Sequence, residues 1–277
     1  MHKRVKTLLL AFFIFYGSWI HSANIIFDLG GVLVGTSYVS SIFQIGIWSC
    51  IRFAIGLNNP SLLKNRIFEL LEHIDSEKMN IHGAEDGSGN KLPSIMCDWQ
   101  LGIQTDEEIK EKIDSYIEQN PNFFHSNMEK QIITNALTMM FTPELFTRTV
   151  KLFKGAVSFV KKCKENGHNL FILSNFDSES FEILKTMYPK LFDLFEAENI
   201  LISGDIGLIK PDPQIYAYLL DKFNLDPNNC IFFDDQEVNI EAAKKFGIHG
   251  IVCKNHDYKE MEKQLEEILH LQTLISL

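Results

Sequence analysis

Four short polar segments are spread along the chain, and three of them directly follow an apolar run typical of a buried strand. Ligands of open α/β sheets bind just beyond the carboxyl ends of the strands, so we expect these polar groups to share one crevice. Carboxylates, a hydroxyl and an ammonium in one crevice are the groups that a phosphoryl-transfer site needs. The segments are Phe27-Asp28-Leu29-Gly30-Gly31-Val32, Leu173-Ser174-Asn175, Lys210-Pro211-Asp212-Pro213 and Phe232-Phe233-Asp234-Asp235.

Two adjacent acids, Asp234 and Asp235, follow the apolar run Ile231-Phe232-Phe233. Close like charges at the end of a buried strand are costly unless a cation is present. Oxygen ligands together with a phosphate substrate favour Mg²⁺, which keeps several waters and is held by one or two carboxylates. The acidic pair therefore indicates a magnesium site at this edge of the sheet.

The elements that must position these groups alternate between helix and strand from Leu152 onward. This alternation predicts an α/β fold with βαβ units, a Rossmann-like parallel sheet and helices on both faces. Residues 194–199 are expected to be extended. The other predicted strands are 25–27, 170–173, 230–233 and 250–253, and the predicted helices are 156–166, 179–187, 214–223 and 238–246.

Between the first strand and this alternating region, the apolar residues have helical spacing and no strand is predicted. An all-helical insertion after the first strand predicts a cap domain over the strand tips. We place the helical cap at 36–152 and the α/β core at 24–35 and 153–277. Trp99 and a Gly-rich loop at 83–90 could face the crevice, although Trp in a helical cap is more often part of the core. The predicted cap helices are 38–55, 62–74, 106–118 and 128–140.

In order and placement, the four segments resemble the four motifs of the haloacid dehalogenase-like hydrolase superfamily over about Asn24 to His256. The helical insertion resembles the cap that follows motif one in a subgroup containing many small sugar-phosphate phosphatases. The resemblance implies that Asp28 is the nucleophile. It also implies that Ser174 and Asn175 bind the phosphate, and that Lys210 neutralises the charge of Asp28 and the phosphate.

The same resemblance implies a Mg²⁺ site. Its ligands would be Asp28, the backbone carbonyl of Gly30, and Asp234, with Asp235 as a further ligand or as a group that orients a bound water. The dehalogenase branch of the superfamily fits less well. Members of that branch have a motif one that resembles D-x-Y-G-T, and they lack the pair of metal-binding carboxylates that Asp234 and Asp235 would form. Mutase and phosphonatase branches stay open, although we identify no cap lysine of the kind a phosphonatase needs.

Gly30 departs from the family pattern. Phosphatases of the family normally carry a second Asp two residues after the nucleophile, which protonates the leaving group and then activates water. Loss of a general acid/base costs on the order of 10²–10⁴ in rate. Some members with the same D-L-G pattern are nonetheless phosphatases. We therefore predict slower turnover and a preference for aryl, acyl or anomeric phosphates, whose leaving groups need little protonation.

Two functions follow from these residues. The first is an exported Mg²⁺-dependent phosphatase that hydrolyses small phosphomonoesters through a phospho-aspartyl intermediate at Asp28. The alternative is a catalytically weakened binding or interaction protein, supported mainly by Gly30. The expected partner is a small phosphorylated metabolite, while the natural substrate and the oligomeric state stay open.

The chain of 277 residues has a formal net charge of −10, and three of its basic residues lie in the first six. An acidic body without a basic stripe argues against nucleic-acid binding through phosphate contacts. An anionic substrate then needs a local positive site, because the overall field repels it.

The N-terminus has a secretory pattern: a basic stretch at 2–6, an apolar stretch at 7–20, and small residues before Asn24. We predict a signal peptide over 1–23 and a secreted or periplasmic protein. An uncleaved membrane anchor and a buried first helix are the alternatives, and an anchor of this kind would be the protein's only membrane contact. In an oxidising compartment, a bridge between Cys50 and Cys97 stays open.

Overall fold

The computed structural model describes residues 22–46, 50, 60–77, 84–85 and 89–275. Five parallel strands form the main sheet in the order β5-β4-β1-β6-β7. In chain order the strands are β1 (Asn24–Phe27), β2 (Val34–Thr36), β3 (Val150–Leu152), β4 (Asn169–Ser174), β5 (Ile200–Ile202), β6 (Cys230–Asp234) and β7 (His249–Val252).

Helices cover both faces of this sheet and form the insertion between β2 and β3. The insertion contains α1 (Tyr38–Ile45), α2 (Pro60–Glu72), α3 (Ser94–Gln100), α4 (Asp106–Gln119), α5 (Asn127–Met140) and α6 (Pro143–Thr149). The later helices are α7 (Ala156–Glu165), α8 (Ser178–Met187), α9 (Pro189–Phe192), α10 (Ser203–Ile206), α11 (Pro213–Phe223), α12 (Glu237–Lys244) and α13 (Tyr258–Ile275). The predicted α/β fold with parallel sheet and helical insertion is confirmed.

The central strand β1 explains why the apolar runs are continuous. All four of its residues are buried, because helices cover both faces of a parallel sheet. Successive side chains point to opposite faces, so Phe27 packs in one apolar layer and Ile26 in the other. Phe27 also stacks on Phe233 of the neighbouring β6, with ring centroids 5.4 Å apart.

The insertion has an apolar core of its own, which includes Leu70, Ile109, Ile133 and Phe141. Helix α1 ends at Ile45, and the rest of the predicted helix to residue 55 lies outside the described residues apart from Gly46 and Cys50. Most of the Gly-rich loop at 83–90 also lies outside them. The short helices α3 and α6 were not predicted, because seven residues carry little periodicity.

A two-stranded antiparallel ribbon carries the chain from the core into the insertion and back. Val34 pairs with Leu152, and Thr36 pairs with Val150. A side chain at Gly35 would collide with the Phe153 ring, 2.3 Å from the position of its Cβ. The predicted cap limits at 36 and 152 fall on this ribbon. Its strands have three residues each, which is too short for a sequence pattern to predict them.

The prediction of extended chain at 194–199 is wrong. The backbone N–H groups of Leu194 and Phe195 donate to the carbonyls of Leu191 and Phe192, and residues 197–199 form a 3₁₀ turn. The strand begins only at Ile200. Phe195 is buried and Leu194 is partly buried because they pack on the core from a turn, and apolar residues of this kind resemble a strand in sequence.

Ser22 and Ala23 belong to the folded core, although residues 1–21 of the predicted signal segment lie outside the described residues. Ala23 is fully buried, its N–H donates to His168 Nδ1 at 3.2 Å, and its carbonyl accepts from the N–H of Asn169 at 3.0 Å. All five cysteines are free, so Cys50 and Cys97 are not bridged. Within the described part of the chain, no helix combines the length and apolarity needed to cross a bilayer.

Candidate functional site

The carboxyl ends of β1, β4 and β6 open into one crevice with a volume of about 570 Å³. Six of the seven residues singled out from the sequence line it. Asp234 is the seventh. It is fully buried and contacts the crevice through Lys210. The lining residues of this set are Asp28, Gly30, Ser174, Asn175, Lys210 and Asp235.

Three carboxylates form the centre of the site. Ligand oxygens of Asp28, Asp234 and Asp235 all lie within 4.8 Å of one another. Asp28 Oδ1 is buried, and its contact is the ion pair with Lys210. Hard oxygen donors at this density fit a divalent cation such as Mg²⁺, and the backbone of Gly30 lines the same crevice. These residues therefore fit the metal that the sequence predicts.

Lys210 is the cation built into this cluster. Its Nζ donates a hydrogen bond to Asp234 Oδ2 at 2.7 Å and lies 2.9 Å from Asp28 Oδ1. Burial by itself lowers the pKa of Lys210, but Asp234 and Asp28 outweigh burial and raise the pKa above its ordinary value. Lys210 is therefore a permanent positive charge beside Asp28.

Asp235 lacks such a partner. Burial and the nearby carboxylates of Asp28 and Asp234 raise the pKa of Asp235 to about 7. Burial and Asp28 also raise the pKa of Asp234, against the effect of Lys210. A divalent cation would reverse this balance, because it favours the ionised carboxylates.

Asn175 positions Lys210. Its side-chain Nδ2 donates to the Lys210 carbonyl at 2.9 Å, and its Oδ1 accepts from the Lys210 N–H at 2.8 Å. These two bonds tie the end of β4 to the loop before α11. The side-chain amide of Asn175 is therefore engaged with the backbone of Lys210.

Gly30 and Gly31, which follow Asp28 closely in the chain, differ in their surroundings. A Cβ at Gly30 would meet no atom within 4 Å. Gly31 has φ of +68°, and a Cβ there would lie 2.1 Å from Asp235 Oδ2. Gly31 is therefore required for the approach of Asp235, whereas the position of the usual second Asp is open space.

Sequence reasoning missed several residues of the site. Asn239 of α12 donates to both oxygens of Asp234, at 3.0 and 3.1 Å, and so orients that carboxylate. The rings of His256 and Phe153 lie at one side of the crevice, tilted by 35° with centroids 3.5 Å apart. Asn239 is the second residue of a predicted helix, and nothing in its spacing signals the contact. Trp99, for which the sequence allowed either a core or a crevice position, lines the crevice.

A family model described as haloacid dehalogenase-like hydrolase matches residues 23–247. Rat bifunctional epoxide hydrolase 2 is 31% identical over 112 residues, which are 39% of this chain and 20% of that protein. Flavin mononucleotide hydrolase 1 of Arabidopsis thaliana is 26% identical over 39% of this chain and 49% of its own length. A phosphorylated carbohydrates phosphatase of Thermotoga maritima is 33% identical over 27% of this chain and 35% of its length. The chain thus spans half or less of these curated relatives.

Solved structures share the fold. A HAD family enzyme of Bacteroides thetaiotaomicron, a mutant in complex with magnesium and inorganic phosphate, aligns with a TM-score of 0.55 at 19% identity. The alignment covers 87% of this chain and 98% of that one. A predicted HAD-like hydrolase of Porphyromonas gingivalis gives a TM-score of 0.55 at 18% identity, covering 88% and 97%. At these identities the likeness establishes the arrangement of core and cap elements.

Proposed function

The chain belongs to the haloacid dehalogenase-like hydrolase family, and from this premise we propose that it is a Mg²⁺-dependent phosphatase of small phosphomonoesters. The observation that carries the proposal is the position of Lys210 between Asp28 and Asp234, inside a cluster of three carboxylates. The resemblance to a flavin mononucleotide hydrolase and to a phosphorylated carbohydrates phosphatase supports it.

The proposed reaction has two displacements at phosphorus. An oxygen of Asp28 attacks the phosphorus, the bond to the alcohol oxygen breaks, and an acyl phosphate forms on Asp28. A water then attacks the phosphorus of the acyl phosphate, releasing inorganic phosphate and restoring the carboxylate. Splitting one difficult displacement in this way lowers each barrier.

The surrounding residues hold and neutralise the phosphate. Lys210 offsets the charge that Asp28 and the phosphate bring together, while Ser174 and the backbone N–H of Asn175 donate to phosphate oxygens. Mg²⁺ held by Asp28, Asp234 and the Gly30 carbonyl would supply charge neutralisation at the transferred group. Because Gly30 has no side chain, the departing alkoxide takes its proton from water.

Dehalogenation is less consistent with the site. The (S)-2-haloacid dehalogenase 4A of Burkholderia cepacia is 24% identical over 137 residues, so that reaction occurs among the relatives. A 2-haloacid brings its own carboxylate, however, and would meet three acids and a single ammonium. A phosphate ester that binds together with a divalent cation adds no net negative charge to the site.

A binding protein with a silenced site is the second candidate, and Gly30 is the observation that favours it. Such a protein has little use for a nucleophile in contact with a buried ammonium. Hydrolysis of the phosphoenzyme separates the two candidates, because a silenced site would bind phosphate analogues without releasing product.

The experiment is hydrolysis of p-nitrophenyl phosphate by the full chain, with Mg²⁺ and with EDTA. Metal-dependent release that Asp28→Asn abolishes is the expected result. Asp193→Asn is the matched control and should retain the activity, because Asp193 is an exposed acid that does not line the crevice. Release that Asp28→Asn does not reduce would overturn the role of Asp28.

We also propose that the protein is exported, on the strength of the basic and apolar stretches at 2–6 and 7–20. Its expected ligand is a small phosphorylated metabolite and not a nucleic acid. A fusion of residues 1–30 to a reporter that is active only outside the cytoplasm tests export. A reporter that stays inactive, while a known signal sequence activates it, would contradict this proposal.

A further inference from the structure

Beyond the phosphate-binding groups, the crevice has a wall of three aromatic side chains, Trp99, Phe146 and Phe176, which we call the aromatic wall. The ring centroids of Trp99 and Phe146 are 6.0 Å apart, and those of Phe146 and Phe176 are 5.7 Å apart. The wall is therefore continuous from the cap to the core.

One end of the aromatic wall adjoins the phosphate-binding groups. Phe176 follows Ser174 and Asn175 directly in the chain, and all three residues line the same crevice. Phe146 and Phe176 are only half-buried, and both line the crevice, so part of each ring is open to it. An ester bound through its phosphate would place its alcohol part against these rings.

The charges in the crevice limit what that alcohol part can be. Among the described residues that line it, Lys210 is the single ammonium or guanidinium, and it is already paired with Asp28 and Asp234. The remaining charged groups, Glu85, Asp177 and Asp235, are acids. A second anionic group on the substrate would meet like charges, and the described lining residues offer no further lysine or arginine to balance it.

We propose that the substrates are monophosphate esters of uncharged, apolar alcohols, whose hydrocarbon part packs on the aromatic wall. This inference rests on the proposed phosphatase function and deepens it. The cavity of about 570 Å³ lies within the roughly 300–1,000 Å³ of typical ligand sites, so it has room for such a group beside the phosphate. Burial of apolar surface against the wall supplies the preference.

The test compares kcat/KM for 2-phenylethyl phosphate, its 4-carboxy derivative and glycerol 1-phosphate, using the full chain with Mg²⁺. All three are primary alkyl esters, so leaving-group basicity differs little and the missing acid at Gly30 affects them alike. We expect 2-phenylethyl phosphate to be favoured about tenfold or more over each of the others. Equal values, or a preference for glycerol 1-phosphate, would overturn the inference and leave the phosphatase function standing.

Substitutions in the aromatic wall test whether its side chains cause the preference for 2-phenylethyl phosphate. Phe146→Ala and Phe176→Ala should each lower the ratio of kcat/KM for 2-phenylethyl over glycerol 1-phosphate about tenfold. Phe146→Leu keeps the helix packing and replaces Phe146→Ala in this comparison if the alanine variant does not fold. Phe223→Ala is the matched control, because Phe223 is half-buried against the core away from the crevice, and it should leave the ratio unchanged. A ratio unaffected by the wall variants would contradict the proposal.

A binding experiment keeps the inference separate from turnover. If no ester is hydrolysed, the phosphatase function fails. Calorimetry with 2-phenylethylphosphonate and methylphosphonate then tests whether the aromatic wall binds an apolar group. Binding of the phenylethyl compound about tenfold more tightly supports an apolar subsite. Equal affinities overturn it.

Discussion

Lys210 Nζ lies 2.9 Å from Asp28 Oδ1, and the side chains of both residues are more than nine-tenths buried. The same ammonium bonds to Asp234, so one positive charge serves two carboxylates while Asp235 is left without a cation. Ionisation of all three acids leaves two negative charges uncompensated. A divalent cation would neutralise this excess.

Mg²⁺ should therefore stabilise the folded protein. A ligand present at 100 times its dissociation constant adds about 2.7 kcal/mol to the free energy of unfolding, provided that it binds only the native state. We expect the melting temperature to rise by several degrees with millimolar Mg²⁺, as measured by calorimetry.

The variant Asp234→Asn should lose most of this rise, because it removes a carboxylate from the cluster. Glu237→Gln is the matched control. Glu237 is an exposed acid three residues further along the chain, and its variant should keep the full rise. A shift of equal size in all three proteins would place the Mg²⁺ elsewhere.

Restoring a carboxylate at Gly30 should speed the hydrolysis of alkyl phosphates most. A side chain at this position starts in open space, so Gly30→Asp is compatible with the fold. A general acid is worth about 10²–10⁴ in rate where the leaving group needs a proton, and much less for p-nitrophenol. Measured kcat for glycerol 1-phosphate should therefore rise far more than kcat for p-nitrophenyl phosphate.

Gly30→Asn is the matched control for that experiment. It has the same size but cannot transfer a proton, so it should give no selective gain. If the wild-type protein already hydrolyses alkyl and aryl phosphates equally fast, the lack of an acid at residue 30 does not limit the rate.

The sequence predicted the parts of the site that depend on strand pattern. Asp28 and Asp234 stand at the ends of apolar runs, and parallel strands place such ends at one edge of the sheet. The contacts between loops could not be predicted. Asn175 binds the backbone of Lys210 across 35 residues, and Asp235 packs on Gly31 because of a left-handed backbone conformation.

Of the aromatic wall, the sequence suggested only Trp99 as a residue that could face the crevice, and it missed Phe146 and Phe176 for a related reason. Trp99 and Phe146 lie on helices of seven residues each, too short for a periodic signal. Phe176 lies in the loop after β4, where the sequence directed attention to the polar residues before it. Which face of a short helix meets the crevice is decided by the packing of the whole cap.

Asp177 should make stability depend on pH. It caps α8 by accepting the Ser180 N–H at 2.8 Å, and burial raises its pKa to about 6 from an ordinary value of 3.8. The unfolded chain loses this proton first as the pH rises, so the folded state loses stability between about pH 4 and pH 6. A shift of this size corresponds to about 2–3 kcal/mol.

The variant Asp177→Asn isolates this effect, because Asn caps helices as well as Asp and carries no proton to lose. The free energy of unfolding of the variant, minus that of the wild type, should increase from pH 4 to pH 6 and then stay level. Urea titrations at several pH values measure the difference. A constant difference from pH 4 to pH 7 would show that burial does not shift the Asp177 pKa.

A chain that begins at Asn24 should be less stable than one that begins at Ser22. The shorter chain loses the bonds of Ala23 to His168 and Asn169, each worth about 1 kcal/mol, and the burial of the Ala23 methyl group. It also places a charged amino group on Asn24, a residue only 7% exposed.

We expect the free energy of unfolding to fall by about 2–4 kcal/mol, which combines these losses. Both chains can be released from a cleavable tag and compared by urea titration, with a chain that begins at Ala23 as the control for removal of Ser22 alone. If all three are equally stable, β1 tolerates a free end at Asn24 and processing after Ala23 is compatible with the fold. The expected loss would instead show that processing after Ala23 destabilises the fold, because Ala23 is hydrogen-bonded to His168 and Asn169.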